Sequence, residues 1–324
     1  MPERTTVTET VQIGVEATPG TSVPASKRLR TIGFTFDPEY NARVFRPSGS
    51  KFPAISAPGK EWMGGAVEGA ADYNELIYPF SMILGPPASA PAGTGHKHTW
   101  LVNPSAIQDP KTVTAEVGSA VRAEKSSGLA LNDFAITYNR DECNVDGALI
   151  GKALVDGITM TPTPALIPLN PLLPQHVSVY FDAAFAGIGT TKLLRVLEAS
   201  HGLTSRFGAL WPLDSAQPSY VTLYEIEPGS EARLVQVADA AGMAHLPRAR
   251  SGATGYLRIE SVGPIIGAGP QTAKLTVDLP VKVTDFGYGD SDGLKTAEWT
   301  FQWFDDEAAA NAGKIELTNE VASL

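Results

Sequence analysis

A regular alternation of apolar and polar residues marks the last quarter of the chain. Between Thr272 and Thr284 the apolar positions are Ala273, Leu275, Val277, Leu279, Val281 and Val283. A period of two places every apolar side chain on one face of an extended strand. At about 3.3 Å per residue this strand spans roughly 40 Å, and Pro280, which cannot donate to a ladder, predicts a bend, a bulge or an unpaired edge.

A second strand follows a segment rich in glycine and aspartate. Asp285–Gly293 is interpreted as a turn, and beyond it Ala297, Trp299, Phe301 and Trp303 alternate with polar residues. The two segments therefore predict a long hairpin with one dry face and one wet face. The candidates for the wet face are Lys274, Thr276, Asp278, Lys282, Thr296, Glu298, Thr300 and Gln302.

Shorter segments repeat the period of two, and few segments favour a helix. Strands are expected at Val177–Asp182, Leu257–Glu260, Tyr220–Ile226, Arg233–Val237 and Phe134–Tyr138, whereas Lys192–Ser200 fits either a helix or a strand. Asp72 and Glu75 have the spacing of a capping box before the apolar face of Leu76, Phe80, Ile83 and Leu84, although Pro79 would strain that helix. Asp239 could cap a second short helix that ends near Pro247. The patterns predict a mainly β fold, like a sandwich or barrel, with long amphipathic hairpins and one or two flanking α-helices.

Composition supports this fold class and excludes several others. The chain has 324 residues, of which 31 are glycine and 25 proline, so short strands joined by turns are favoured over long helices. With 43% hydrophobic residues the chain can bury a substantial core, which excludes wholesale disorder. A net charge of −10 argues against a protein that binds nucleic acid through its phosphates, because such a protein needs a surface rich in lysine and arginine. The single cysteine, Cys143, excludes an intramolecular disulfide and is interpreted as a small buried apolar group.

The organisation along the chain predicts one β-rich domain at residues 31–310. It is preceded by an entry segment at 1–30, whose first residues, Met1–Thr10, read as an arm ordered by a partner, and followed by a C-terminal segment at 311–324. Pro47–Lys60 and Gly85–His98 are interpreted as connectors within the domain. The uncharged stretches contain too many prolines for membrane helices, and the N-terminus has no apolar run, so a soluble protein made in a reducing cytoplasm is expected.

No group of residues favours catalysis, and the chain is interpreted as a protein that is not an enzyme and has no cofactor or metal. His96 and His98 have no nearby acid or cysteine to complete a metal shell. Asp290 and Asp292 fit a hairpin tip better than a calcium loop, and Gly187–Lys192 lacks the Gly-Lys-Ser/Thr order of a phosphate loop. The alternation that contains Trp299 and Trp303 predicts core residues rather than a sugar platform.

Five blocks of sequence resemble, in order, those of phage tail tube proteins of the siphophage type. They are Val11–Leu29 (VQIGVEATPGTSVPASKRL), Glu68–Gly85, Leu149–Pro164, Tyr256–Pro264 and Lys274–Asp306, whereas Gly85–His98 departs from the family. The resemblance implies a β-sandwich flanked by a helix, hexameric rings, and rings stacked into a tube that conducts the genome from the virion into the host. It brings no catalytic residues.

The resemblance also implies where the contacts lie. The wet face of the hairpin would line the lumen of a closed barrel, and Met1–Thr10, Pro47–Lys60 and Asn311–Leu324 become candidates for ring-to-ring contacts. The implied partners are further copies of the chain and other tail proteins (tape measure, tail terminator and distal tail protein), while DNA passes through without specific binding. The acidity predicts a lumen that repels DNA, although Lys274 and Lys282 lie on the same face.

Two other classes of function stay open at this stage. The alternative is a β-sandwich module of a virion that binds carbohydrate or a cell surface, which exposed aromatic residues gathered on a loop or a concave face would favour. A hydrolase would require two carboxylates or a histidine clustered in a pocket.

Overall fold

The computed structural model describes residues 5–213 and 219–324 and confirms the mainly β class, with 55% strand and 7% helix. The strands are β1 Thr10–Val15, β2 Lys27–Arg28, β3 Ile32–Phe45, β4 Ile55–Ala70, β5 Ala88–Ala92, β6 Gly95–Val102, β7 Val113–Gly118, β8 Ala123–Asn139, β9 Cys143–Ile150, β10 Val155–Ile158, β11 Ala165–Leu166, β12 Val177–Asp182, β13 Val196–Thr204, β14 Phe207–Leu210, β15 Thr222–Glu225, β16 Gly229–Val237, β17 Gly255–Ile265, β18 Thr272–Ser291, β19 Leu294–Trp303 and β20 Gly313–Asn319. The α-helices are α1 Ile77–Leu84 and α2 Leu246–Ser251, and short 3₁₀ turns lie at Thr6–Thr8, Pro174–His176 and Phe185–Gly187.

Two long strands, β8 and β18, each belong to two sheets and so join three sheets together. The six-stranded sheet has the order β12–β17–β18–β20–β6–β5. The eight-stranded sheet has the order β18–β19–β16–β13–β8–β9–β4–β3, and every neighbouring pair in it is antiparallel. The N-terminal sheet has the order β10–β8–β7–β1–β2–β11. A separate hairpin, β14–β15, completes the fold.

The six-stranded and eight-stranded sheets pack face to face, and α1 fills the space between them. The ring of Phe80 on α1 lies 5.4 Å from Trp100 on β6 and 5.5 Å from Phe134 on β8. Where the sheets meet directly, Phe181 on β12 lies 5.7 Å from Phe301 on β19. Such aromatic contacts bury large apolar areas between two sheets. The expected sandwich is therefore confirmed, as is the burial of Trp299 and Trp303 in the core.

The predicted helix α1 is confirmed, but its capping differs from the prediction. Asp72 accepts hydrogen bonds from the backbone N–H groups of Asn74 and Glu75, at 2.8 and 3.3 Å, as a capping residue does. The carboxylate of Glu75 instead accepts the N–H groups of Arg30, Thr31 and Ile32. All eight residues of α1 are buried because both sheets cover it.

The long hairpin near the C-terminus is confirmed and is longer than predicted. β18 continues to Ser291, so the turn predicted over Asp285–Gly293 is wrong except for its last two residues. Asp292 and Gly293 have φ values of 52° and 81° and form a two-residue hairpin loop, for which an Asp-Gly pair is suited. Pro280 lies where the partner strand on one side of β18 changes. On that side β20 pairs with β18 as far as Asp278, and β19 pairs with it from Val281 onwards. The missing donor of Pro280 therefore falls in a gap between two partner strands, and a bulge follows between Val283 and Asp285.

The first predicted connector, Pro47–Lys60, is confirmed in part: residues 47–54 connect β3 to β4, whereas residues 55–60 belong to β4. The second, Gly85–His98, is wrong because it contains β5 and the start of β6. β3 and β5 have no dry face for most of their length, so they show no alternation that sequence analysis could detect.

Three further expectations are corrected or resolved. Most of the C-terminal segment belongs to the main domain, because β20 pairs with β18 on one side and β6 on the other. The helix expected after Asp239 instead begins at Leu246, with Pro247 in its first turn, where proline is favoured. The ambiguous segment around Lys192–Ser200 forms the start of strand β13. Of the expected arm Met1–Thr10, residues 1–4 lie outside the described residues, and residues 5–8 are exposed.

Candidate functional site

One face of the eight-stranded sheet points away from the core, and we call it the open face. The strand register shows that its side chains are mostly small or polar. One row across seven strands consists of Asp285, Thr300, Arg233, Ser200, Thr137, Asn144 and Ala70. A neighbouring row consists of Gly202, Ala135, Asp146, Glu68 and Gly33. Most of these residues are half-buried or exposed, so the open face is accessible to solvent in the described chain.

The open face is strongly acidic. By the same register it carries eight carboxylates, those of Asp37, Glu68, Asp133, Asp146, Glu198, Glu231, Asp285 and Glu298, and two cations, Arg233 and Lys282. Its formal net charge of −6 is more than half of the −10 of the whole chain. Arg233 binds Glu298 at 2.7 Å and Glu198 at 3.3 Å, and these carboxylates raise the pKa of its guanidinium. The uncompensated charge of this face is therefore negative.

The eight residues predicted for the wet face separate into two groups. Lys282, Thr296, Glu298, Thr300 and Gln302 lie on the open face, although Thr296 is buried beneath its neighbours. The other three, Lys274, Thr276 and Asp278, lie on the outer face of the six-stranded sheet.

Ion pairs cover this second group. Lys274 binds Glu260 at 2.6 Å, and Asp278 receives two hydrogen bonds from Arg258 at 2.6 and 2.8 Å. Alternation along β18 places Asp278 and Lys282 on the same side of the strand, with no bulge between them. The assignment of Lys274, Thr276 and Asp278 to a lumen, like that of the other five residues, stays a prediction.

The eight-stranded sheet ends in two strands that have a free edge. β17 pairs with β18 only as far as Val281, so residues 282–291 of β18 have no strand partner on that side among the described residues, although α2 contacts β18. At the other end of the sheet, β3 pairs only with β4 in the described chain. Because the eight strands alternate in direction, the two edges run antiparallel to each other.

The edges of the six-stranded sheet are protected instead. β5 contains Pro91, and proline blunts an edge. The edge of β12 is covered by residues 191–193, since Phe181 donates to Thr191 and Leu193 donates to Val179, at 3.0 and 2.8 Å. Natural sheets guard long edges against pairing with other chains unless the pairing is used. The free edges of β18 and β3 therefore have backbone groups that could pair with a strand of another chain.

A two-stranded arm projects beyond the eight-stranded sheet. It comprises residues 39–61 of the β3–β4 hairpin, past the last pairing of β4 with β9. Its exposed apolar side chains are Tyr40, Val44, Phe45, Phe52 and Ile55, and Tyr40 and Phe52 are each 76% exposed. At the base of the arm, Trp62 packs edge-on against Trp211 with ring centroids 5.9 Å apart. Apolar side chains held on a projecting hairpin are typical of a contact surface.

The block Val11–Leu29 has a structural role centred on Glu16. Its buried carboxylate accepts hydrogen bonds from the backbone N–H groups of Gly20 and Gly128, at 2.6 and 2.8 Å, and from the hydroxyls of Thr112 and Thr114, at 2.8 and 2.7 Å. Four donors satisfy a carboxylate that would otherwise be costly to bury. This glutamate therefore ties the entry segment to β7 and β8.

Three of the groups weighed for metal, phosphate or thiol chemistry, at His98, Asp182 and Cys143, are accounted for by hydrogen bonds or by burial within the fold. The two ring nitrogens of buried His98 lie 2.8 Å from the Ser89 hydroxyl and from the Val321 carbonyl. The carboxylate of Asp182 accepts the N–H groups of Gly189, Thr190 and Thr191, which a phosphate would otherwise need. Burial raises the pKa of the Cys143 thiol to about 12, which keeps it protonated. Among the described residues no cluster of His, Cys, Asp or Glu is arranged to hold a metal ion.

An open cleft of about 750 Å³ lies at one end of the open face, where a hydrolase would require an acid/base pair. It is lined by Glu198, Glu298 and Arg233, but Arg233 bridges the two carboxylates. The geometry is that of a surface ion-pair network.

Comparisons with known proteins give no assignment. No family model matches the chain, and a search of curated proteins finds no match. The resemblance to tail tube proteins therefore stays a prediction from the sequence blocks. None of the helices in the described part of the chain is both long and apolar enough to span a membrane.

Proposed function

We propose that this protein is a structural tail tube subunit that closes into rings through the two free edges of its eight-stranded sheet. The observation that carries the proposal is the pair of edges without a strand partner, residues 282–291 of β18 and residues 32–37 of β3 before Pro38, which run in opposite directions on either side of an acidic face. Copies related by rotation can set β3 of one beside β18 of the next, and the antiparallel order then continues from copy to copy. Closing the ring removes every free edge of this sheet.

The layers of the sandwich support an inward orientation of the open face. The opposite face of the eight-stranded sheet is covered by α1 and the six-stranded sheet. In a closed ring this thick layer needs the larger circumference, so it belongs outside. The open face then lines the channel with −6 formal charges per copy, or about −36 for the six copies that the resemblance implies. Such a lining repels phosphates within about 8–10 Å and lets DNA slide towards the host without specific binding.

The exposed arm supports the stacking of rings into a tube. Its apolar side chains contact nothing else in the described chain for most of their surface, and a neighbouring ring would bury them. The predicted contact segment Pro47–Lys60 lies within the arm and its tip. In a virion tail the ends of the tube would also meet the terminator, distal tail and tape measure proteins.

Electron microscopy in negative stain, combined with sedimentation velocity over a range of protein concentrations, tests the proposal. Rings with an axial hole, or hollow rods, are expected. A monomer at every concentration would overturn the proposal. A monomer that also binds carbohydrate on a glycan array would support the alternative of a virion binding module.

A further inference from the structure

We propose that opposite charges on the two free edges fix the lateral contact between copies, with Asp290 and Asp292 of one copy facing Arg28 and Arg30 of the next. The inference rests on the proposed ring closure and adds which residues select the neighbour. Its partner is a second copy of this chain.

The edge of β18 ends in an acidic tip. Asp285, Asp290 and Asp292 are all exposed, and none of them belongs to an ion pair within the described residues. The only cation in this segment, Lys295, lies over the ring of Tyr288, 4.1 Å from its centroid. Asp290 and Asp292 line the same cleft as Arg140, Lys192 and Arg195 but form no ion pair with them, so the carboxylates of the tip are available to a neighbouring chain.

The edge of β3 begins at a basic cleft. A cleft of about 500 Å³ is lined by Arg28, Arg30 and the first residues of β3, together with Glu9. Arg30 is exposed and Arg28 is half-buried, and neither side chain forms an ion pair in the part of the chain that the structure describes. Two arginines without an ion-pair partner are unexpected in a chain with a net charge of −10. An arginine side chain can bind a carboxylate with two parallel hydrogen bonds.

The order of the charges fits antiparallel pairing. In such a pair the end of β18 lies beside the start of β3, so the acidic tip meets the basic cleft. At the other end, Lys282 at the beginning of the free edge lies beside Asp37, the last residue of β3 before Pro38. Counting along the strands from this pair, across the bulge after Val283, brings Tyr288 level with Ile32, the first residue of β3. Asp290 and Asp292 then extend past the start of β3, towards the preceding segment that contains Arg28 and Arg30. Attraction at both ends sets the register and rejects a shifted or reversed neighbour.

Two charge-reversed variants test the inference, and both are examined by circular dichroism for a fold like that of the original chain. The basic-edge variant is Arg28→Glu with Arg30→Glu, and the acidic-edge variant is Asp290→Lys with Asp292→Lys. Each variant has like charges on both edges, so each alone is expected to lose the ring peak in sedimentation velocity. An equimolar mixture is expected to regain it, because the reversed edge of one variant complements the reversed edge of the other, and both kinds of contact are attractive in an alternating ring.

The mixture separates the loss of complementarity from misfolding, because a misfolded variant cannot restore a ring. A chain that carries all four substitutions is expected to form rings by itself. The control is Lys97→Glu with Arg122→Glu, which changes the charge equally on β6 and immediately before β8, on strands that form neither free edge, and is expected to keep the rings. The inference is overturned if either variant forms rings alone as the original chain does, or if folded variants and the four-substitution chain all stay monomeric. If the original chain itself forms no rings, the proposed function fails, and the inference fails with it.

Discussion

Two buried histidine residues make the folding stability of this protein sensitive to acid. His201 on β13 lies between Tyr138 and Trp303, and its Nε2 is 3.0 Å from the Tyr138 hydroxyl. Burial lowers the pKa of His201, and likewise that of His245, from 6.5 to about 4. The folded chain therefore binds these protons less readily than the unfolded chain. Stability is full above pH 6.5 and is lost as the pH falls from 6.5 towards 4.

Replacing His201 by glutamine is expected to weaken this pH dependence. Glutamine can keep a hydrogen bond to Tyr138 but does not titrate. Between pH 7 and pH 4.5 the unfolding free energy of the variant should fall by about 2 kcal/mol less than that of the original chain. Urea denaturation at the two pH values measures the difference. His96→Gln, at a half-exposed site, serves as the control. An equal fall in unfolding free energy between pH 7 and pH 4.5 for the original chain and for H201Q would contradict the assignment of this pH dependence to His201.

Glu75 is a second residue on which the local structure depends. Its carboxylate is fully buried and accepts three backbone N–H groups and the Thr31 hydroxyl at the start of β3. Glu75→Ala leaves these donors unsatisfied, and we expect it to lower the unfolding free energy by about 3 kcal/mol or more. Glu39→Ala, which removes an exposed carboxylate, should change it by less than about 0.5 kcal/mol. A similar loss for both variants, measured by urea denaturation, would show that the hydrogen bonds of Glu75 contribute little.

At the scale of elements, the sequence predicts those strands that have one dry face. The alternation from Ala273 to Val283, and that from Ala297 to Trp303, corresponds to strands whose apolar side chains are buried. The sequence does not predict β3 and β4, because most of their residues are exposed on both faces of the strand and burial therefore imposes no alternation of apolar and polar residues. Gly287 and Gly289 suggested a turn, yet they lie within β18, where their missing side chains face the open side of the sheet.

The candidate site could be predicted only in part for a related reason. The five residues on β18 and β19 follow from alternation, because one hairpin supplies both strands. The acidic positions on the other strands, such as Glu68, Asp146 and Glu198, join the same face only through the pairing of strands far apart in sequence. The alternation of apolar and polar residues shows which side of a strand faces solvent, but it does not show which strands are neighbours in the sheet.

The free edge of β18 can be tested by a single substitution. Ser291 and Leu294 close the two-residue turn as a hydrogen-bonded pair, so by alternation the N–H of Tyr288 points away from β19, towards the free edge. Tyr288→Pro removes this donor without removing a bond to β19 and is expected to abolish rings in sedimentation velocity. Tyr288→Ala keeps the donor and should still form rings. Rings formed by Y288P as readily as by Y288A would argue against pairing at this edge.

At the scale of the whole molecule, charge is concentrated on one face. Glu68 and Asp146 are exposed cross-strand neighbours on the open face. Reversing both, Glu68→Lys with Asp146→Lys, replaces repulsion by attraction, and the assembled variant is expected to retain duplex DNA at low salt and to release it as salt rises. The original assembly should retain none in the same gel-shift assay. Asp305→Lys with Glu307→Lys, the same reversal at exposed sites off the open face, is the control, and equal retention by both variants would contradict a special role for the open face.

The most direct test of the assembled architecture is a reconstruction of the purified particles by electron cryomicroscopy. The expected result is a closed ring in which β3 of each copy lies antiparallel to residues 282–291 of β18 of its neighbour, with the open face and its carboxylates towards the axis. A ring joined through other surfaces, or one in which the open face points outward, would contradict the proposal.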